Sequence, residues 1–441
     1  MLNAVSTSWV QRWGDQLRSS VRALEPDDTQ PLPRLAPEPP PIDPVLVQLL
    51  RALATALANS AESADVTTDR LRDVAAAYDA DVDAMVMPTG VLFRIGATEV
   101  DLVTVSPRPL RLDQVAAVDD LVTVLTRAAI SPAEGLRRLA DILARPPRFH
   151  AWTTFGGSLL LSLGFGLLLN PDAKALPWYL ALGGLVGLLR MLANRWATLS
   201  VALPVLAAFV VSALTVVLVV PVTGDDALRL LAPPLVAFLP GATLTIATIE
   251  LANNQIVSGA SRLVWGLSQL LLLVFGVLAG LSVTDYQPAG PDVSQLGAWA
   301  PWVGVLVVGV GYQLYSSAPP GSLLFILVAL VAAYAAQTVG ALVVTAQFSG
   351  FAGGLVIAPL TRLLAWFPTA PSSTVMLLPA FWLLVPGALG LRTFSQAAVG
   401  FGADGLLTTG LSIIAVALGV LVGSSLTRDA LAVSRTWRRS R

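Results

Sequence analysis

From Ala151 onward the apolar residues fall into long blocks separated by short polar or Pro/Gly-containing breaks; before it they alternate with charged residues at helical or strand spacing. The long blocks approach the ~20 residues needed to cross the bilayer hydrocarbon as a helix. They predict about ten spans, at 152–170, 177–194, 198–221, 229–250, 262–283, 298–316, 321–337, 340–361, 374–393 and 405–426. The seventh-to-eighth boundary is the least marked, because AAQTVGALVV leaves little room for a loop.

The residues before Ala151 divide into three. Over 1–25, Trp9, Trp13, Leu17, Val21 and Leu24 share a helical face opposite Arg12, Asp15, Arg18 and Arg22, without the charged start and continuous apolar core of a signal peptide. This fits an amphipathic helix lying on a membrane; a helix packed on the rest of the chain and a disordered arm are the alternatives. Residues 26–44 form a Pro-rich linker. Over 45–148, two helical patterns precede three short strands in VDAMVMPTGVLFRIGATEVDLVTVS, and two further helices follow. The second of these opens on Ser131-Pro132-Ala133-Glu134, a capping-box signature. Residues 45–148 therefore read as a small α+β domain without a span of its own.

Composition narrows the chemistry. The chain has 441 residues, 55% of them hydrophobic and 12% charged, a balance that marks a polytopic α-helical membrane protein. A formal net charge of −1 and the lack of a basic stripe argue against nucleic acid as a partner. There is no cysteine, and His150 is the lone histidine, so thiolate chemistry and a His-based metal site are excluded and no cofactor is expected. Arginine in place of lysine, Lys174 excepted, points to a GC-rich bacterial genome.

Basic residues flank alternate connections: Arg145 and Arg148, then Arg190 and Arg195, Arg262, Arg362, and the tail from Arg428 to Arg441. The positive-inside rule then places both termini and the α+β domain in the cytoplasm of a multi-pass inner-membrane protein. FLPGA at Phe238–Ala242 recurs as LVPGA at Leu384–Ala388, GFG at Gly164–Gly166 as GVG at Gly309–Gly311, and GLSQLLLLVFGVLAG from Gly266 as GLSIIAVALGVLVG from Gly410. The matches keep one order and a nearly constant offset. That offset covers five spans, an odd number, so the halves 149–285 and 286–427 should be inverted repeats, followed by a basic tail at 428–441.

The paired Pro240-Gly241 and Pro386-Gly387 interrupt the fourth and ninth spans. Such breaks free backbone groups that hydrocarbon cannot satisfy, so they line cavities or pack inside protein, and paired breaks in two halves point to a transport site. A helix restarting at either glycine aims its amides and positive dipole end at a carboxylate. Thr243, Thr245 and Thr248 can add hydroxyls, Arg392 can clamp a carboxylate or snorkel to the interface, and Glu250 can meet an ammonium group or carry a proton. Asn253 and Asn254 stand beside it, either with it in a coupling site or simply ending the helix in water. Gln313, Gln337 and Gln347 line a path or join helices.

The order of parts, with DRLRDVAAAYDADVDAMVMPTGVLFRI, SPAEGLRRLADILARPPRFHAW, LPGATLTIATIELANNQIVSGASRL and PSSTVMLLPAFWLLVPGALGL, resembles the threonine/serine exporter family of bacterial inner-membrane proteins from about Leu49 to Leu426. Pro240, Gly241, Glu250, Ser258, Gly259 and Arg262 carry the most specific part of that resemblance. The chain departs from the family pattern at Glu250 and Asn253, where Asp and a nearby Gly are expected, and over ANSAESAD. The resemblance implies no enzyme but a secondary transporter that exports small amino acids with protons. Export of another small carboxylate such as a dicarboxylate is the nearest alternative, and a membrane-anchored enzyme or sensor acting through residues 45–148 is the alternative from another class. A homo-oligomer is left open.

Overall fold

The computed structural model describes residues 42–439 apart from 97–98, 107, 170, 194–196, 285, 287–294, 385–386 and 399–403. The amphipathic helix expected over 1–25, and the linker as far as residue 41, lie outside the described residues. Helix α1 (Pro44–Ala58) starts where Asp43 accepts the Val45 amide at 2.8 Å and Pro44 fills the first turn. Helix α2 (Ala64–Ala77) follows.

Strands β1 (Val82–Met87), β2 (Gly90–Ile95) and β3 (Glu99–Thr104) form an antiparallel sheet in that order. Met87 pairs with Gly90 across Pro88-Thr89, and Ile95 pairs with Glu99. Helices α3 (Leu112–Leu125) and α4 (Pro132–Ala144) complete this part. Ser131 caps α4 by accepting the Glu134 amide, but the Glu134 carboxylate is taken by Arg137 and Arg138 rather than returning to Ser131. The expected capping box is thus half formed, because two guanidinium groups on the next turn outcompete one backbone amide.

Period-2 burial in β2 turns Val91, Phe93 and Ile95 inward, where they meet Leu49 and Leu53 of α1, Leu125 of α3 and Leu139 of α4 in one core. Leu53 is fully buried there. Leu53→Ala should therefore cost about 2–5 kcal/mol through lost contacts and an unfilled cavity. Thermal unfolding in detergent would read this as a lower melting temperature.

Among the described residues, ten further helices of more than one turn follow: α5 (Ala151–Leu168), α6 (Leu176–Ala193), α7 (Ala197–Leu214), α8 (Gly241–Ala252), α9 (Ile256–Ser282), α10 (Trp299–Tyr315), α11 (Ser322–Val343), α12 (Ala346–Leu364), α13 (Ser373–Leu384) and α14 (Gly387–Ala398). An eleventh, α15 (Asp404–Arg439), carries the backbone of the basic segment on as helix to Arg439. Among the described residues, six helices are long and apolar enough to cross a membrane, or seven if the bent pair ending in α8 counts as one span. This is a polytopic helical membrane protein at that level of description.

Two expected limits move. The connection between α11 and α12 lies at Val344-Thr345, not near residue 338. Thr338 returns its hydroxyl to Tyr334 O and the Val344 amide bonds Gly340 O, so the helix runs on past Gln337 until Val344 turns extended. The third expected span also changes character. After α7 the chain makes a π turn over Thr215–Val219, where Thr215 donates to Val211 O, and ends in a single turn at Val220–Thr223.

Close helix crossings rest on glycine. A methyl group on Gly304 of α10 would lie 2.8 Å from Gly164 O of α5, and one on Gly164 would lie 3.0 Å from Gly304 O. Gly280 of α9 meets Phe209 O of α7, and Gly423 of α15 meets Leu355 O of α12, with 2.5 and 2.6 Å left for any methyl carbon. Backbones come this near only where the side chain is hydrogen.

The sheet-bearing part is joined to these helices rather than merely tethered. Leu112 and Val115 of α3 share a buried cluster with Tyr312, Ala318, Met376 and Phe381. The first-turn amides of Leu112 and Asp113 donate to Ser316 O and Ser317 O, both at 3.1 Å, and Arg148 donates to Ala318 O at 2.6 Å.

Candidate functional site

Pro240 marks a sharp corner. The helical turns over Ala227–Phe238 and helix α8 are bent by 71° at this break. Pro233, Pro234 and Pro240 each lack an amide donor, so a continuous ladder is impossible here. Leu239 is extended, Pro240 has φ −79 and ψ 34, and the helix restarts at Gly241. Pro240 has no side-chain group able to cap the first turn, so the opening amides of α8 face the break. At the second Pro-Gly pair Gly387 opens α14, while Pro386 and the Arg392 side chain lie outside the described part.

The threonines of α8 divide by environment. Thr245 is fully buried, and its hydroxyl has no hydrogen-bond partner among the described residues. Thr248 returns its hydroxyl to Leu244 O at 2.9 Å, the ordinary use of threonine inside a helix. Thr243 is half-buried one turn above the break.

Glu250 lies at the opposite end of α8, roughly 13 Å along the axis from Gly241 at 1.5 Å per residue. It is fully buried. Its Oε1 accepts the Ala64 amide at 2.9 Å, its Oε2 accepts the Ser258 hydroxyl at 2.9 Å, and Arg262 Nε stands 3.2 Å from Oε1 as an ion pair without hydrogen-bond alignment. Arg262 also donates to Glu62 O at 3.2 Å. Asn253 ends α8 and donates to Asp65 Oδ2 at 3.0 Å. Asn254 takes φ 60, a left-handed conformation that asparagine tolerates, and supplies the turn into α9. Glu250 and Asn253 are thus brought together at one end of α8, and the Pro-Gly break stands at the other.

Residues 61–65, the turn after α1 and the first two residues of α2, sit on this end. Ala61 is left-handed at φ 59, which turns the chain so that Glu62, Ala64 and Asp65 face the helices. Glu62 is buried, and its Oε1 accepts the Thr374 hydroxyl of α13 at 3.0 Å and pairs with Arg70 at 3.3 Å; Arg70 also pairs with Asp119. Burial pushes the Glu62 carboxyl above the usual carboxylate range against the pull of Arg70. Because the folded value is raised, the contribution of Glu62 itself to seating this loop is present at low pH and is lost as pH rises through that value.

Beneath the loop lies a cavity of about 210 Å³, bounded by Glu62 and Asp65 of the loop end, Ile246 of α8, Arg362 of α12, and Thr374 and Phe381 of α13. Glu62, Asp65 and Thr374 escaped the sequence reading. Glu62 and Asp65 lie in the ANSAESAD stretch that departs from the family pattern, and nothing local signals a partner almost two hundred or more residues away. No group of three or more acidic, His or Cys side chains able to hold a metal occurs among the described residues.

A family model described as "Putative threonine/serine exporter" matches residues 48–284, from α1 through the end of α9. No curated protein matches the chain, and no solved structure matches it.

Proposed function

Since the chain belongs to the threonine/serine exporter family, we propose that it is a secondary transporter that moves small amino acids of the threonine and serine kind out of the cytoplasm, driven by protons. On this reading the helices make ten spans in two inverted five-span halves of a bacterial inner-membrane protein, with both termini and the sheet-bearing part cytoplasmic. The fourth span is the bent pair ending in α8 and the ninth is α13 with α14.

The observation that carries the reading is the matched pair of crossings. Gly280 against Phe209 in the first half and Gly423 against Leu355 in the second put the same two elements in the same backbone contact. The crossing of α5 with α10 joins the first helix of one half to the first helix of the other, glycine on glycine. Such an arrangement supports rocking of one half against the other around a site between them, with broken helices at that site. Pro240, Gly241, Thr243, Thr245, Pro386, Gly387 and Arg392 then form the passage, where the amide ends of α8 and α14 and the unpaired Thr245 hydroxyl receive a substrate carboxylate or hydroxyl; Thr248 stiffens α8.

Glu250 is the proposed coupling residue, with Asn253 and Asn254 at its end of the helix. Protonation would remove the charge that faces Arg262 and weaken the acceptor for the Ala64 amide, so the loop at 61–65 would lift from α8 and α9. The direct test is flux of labelled L-threonine from vesicles containing the purified full chain. Efflux should follow an imposed proton gradient and stop when the gradient is dissipated; flux indifferent to the gradient would remove proton coupling.

A further inference from the structure

We infer that the cavity beneath residues 61–65 is the cytoplasmic capture site for the ammonium group of a free α-amino acid, with Glu62 and Asp65 as the residues that recognise it. The inference rests on the exporter reading and adds to it where the substrate enters and by which end it is chosen.

Two independent features meet there. The cavity, about 210 Å³, is smaller than the ~300–1,000 Å³ of pockets for drug-sized ligands and far larger than one water needs. It therefore suits a molecule of a few heavy atoms. Glu62 and Asp65 both line it, and each keeps one buried oxygen, Glu62 Oε2 and Asp65 Oδ1, without a hydrogen-bond partner among the described residues. The other oxygen of each side chain is engaged: Glu62 Oε1 by Thr374 and Arg70, and Asp65 Oδ2 by Asn253. Each carboxylate is thus held by one oxygen and has acceptor capacity left on the other.

Buried acceptors left bare are costly, and a three-donor ammonium group satisfies two of them at once. Arg362 lines the same cavity, where a guanidinium suits the carboxylate at the other end of the ligand. The floor is apolar, with Ile246 and Phe381, so a short side chain is accommodated and a second charge is not. The cavity lies between α8 and α13, the cytoplasmic segments of the two broken spans on the exporter reading.

The test compares L-threonine with N-acetyl-L-threonine, which keeps the carboxylate and hydroxyl and loses the ammonium charge. Binding is measured by calorimetry on the full chain in detergent, and flux in vesicles from the same preparation. The unmodified protein should prefer L-threonine by about tenfold or more, the scale of a charge-assisted contact. Asp65→Asn, which keeps an acceptor for Asn253, and Glu62→Gln should each shrink that preference. The ratio of the two affinities does not depend on the fraction of protein folded. Variants that keep the full preference, or an unmodified chain that binds neither compound, would overturn the site. Selective binding that Asp65→Asn removes, in vesicles that carry no flux, would keep the site and overturn the exporter reading instead.

Discussion

Glu250→Gln should abolish proton-gradient-dependent flux of L-threonine, bringing it to the level of protein-free vesicles. Glutamine keeps one acceptor oxygen for the Ala64 amide, turns its NH2 toward the Ser258 hydroxyl oxygen, and cannot change charge. It also leaves Arg262, whose side chain is 13% exposed, facing a neutral group. Removing one partner of a buried ion pair costs about 3–5 kcal/mol, so a lower melting temperature in detergent should accompany the loss. Two controls separate coupling from folding. Glu250→Asp, which keeps a titratable carboxyl, should retain gradient dependence at a reduced rate. The double substitution Glu250→Gln with Arg262→Gln should recover much of the stability and none of the coupling. Full coupling in that double variant would show that Glu250 serves only to hold the loop.

Bulky residues at the two matched glycines should be comparably severe. Gly280→Leu pushes carbon into Phe209 O and Gly423→Leu into Leu355 O, in each case against main chain that has no rotamer to change. Overpacking of this kind costs about 1–3 kcal/mol and more when the obstacle is backbone. On the proposed equivalence of the halves, both variants should lower detergent-extractable folded protein and its melting temperature by similar amounts. Gly410→Ala on the same helix as Gly423 meets nothing within 4 Å and should be neutral. A severe effect at one crossing and none at the other would break the proposed equivalence of the halves.

What the sequence made legible follows from how far each signal reaches. The strands over 82–104 were readable because alternation and Pro-Thr-Gly turns are local, and the corner at Pro240 was readable because proline forbids a ladder bond wherever it stands. The end of α11, expected at Gln337, lies at Val343, because AAQTVGALVV carries no local stop and the chain leaves the helix only where Val344 and Thr345 turn extended. Glu250 stands out in the sequence by its rarity in an apolar stretch, whereas its partners do not: Ala64 and Ser258 are joined to it only by the fold. Glu62 and Asp65 carried no signal at all. They sit in a short polar turn and the helix start after it, positions that normally face water, and only tertiary packing against α8 and α13 turns them inward.

The carbonyls of Ser316 and Ser317 cap α3 from the loop between α10 and α11, and α3 answers by closing part of the cluster around Tyr312. Cutting the chain after residue 148 would therefore not peel away an accessory. It would strip the bundle of a lid, leave its loop carbonyls bare and deprive Glu250 of the Ala64 amide in one stroke. Loss of transport in such a fragment would report a wounded bundle, and regulation by the sheet-bearing part has to be sought with point substitutions in the intact chain.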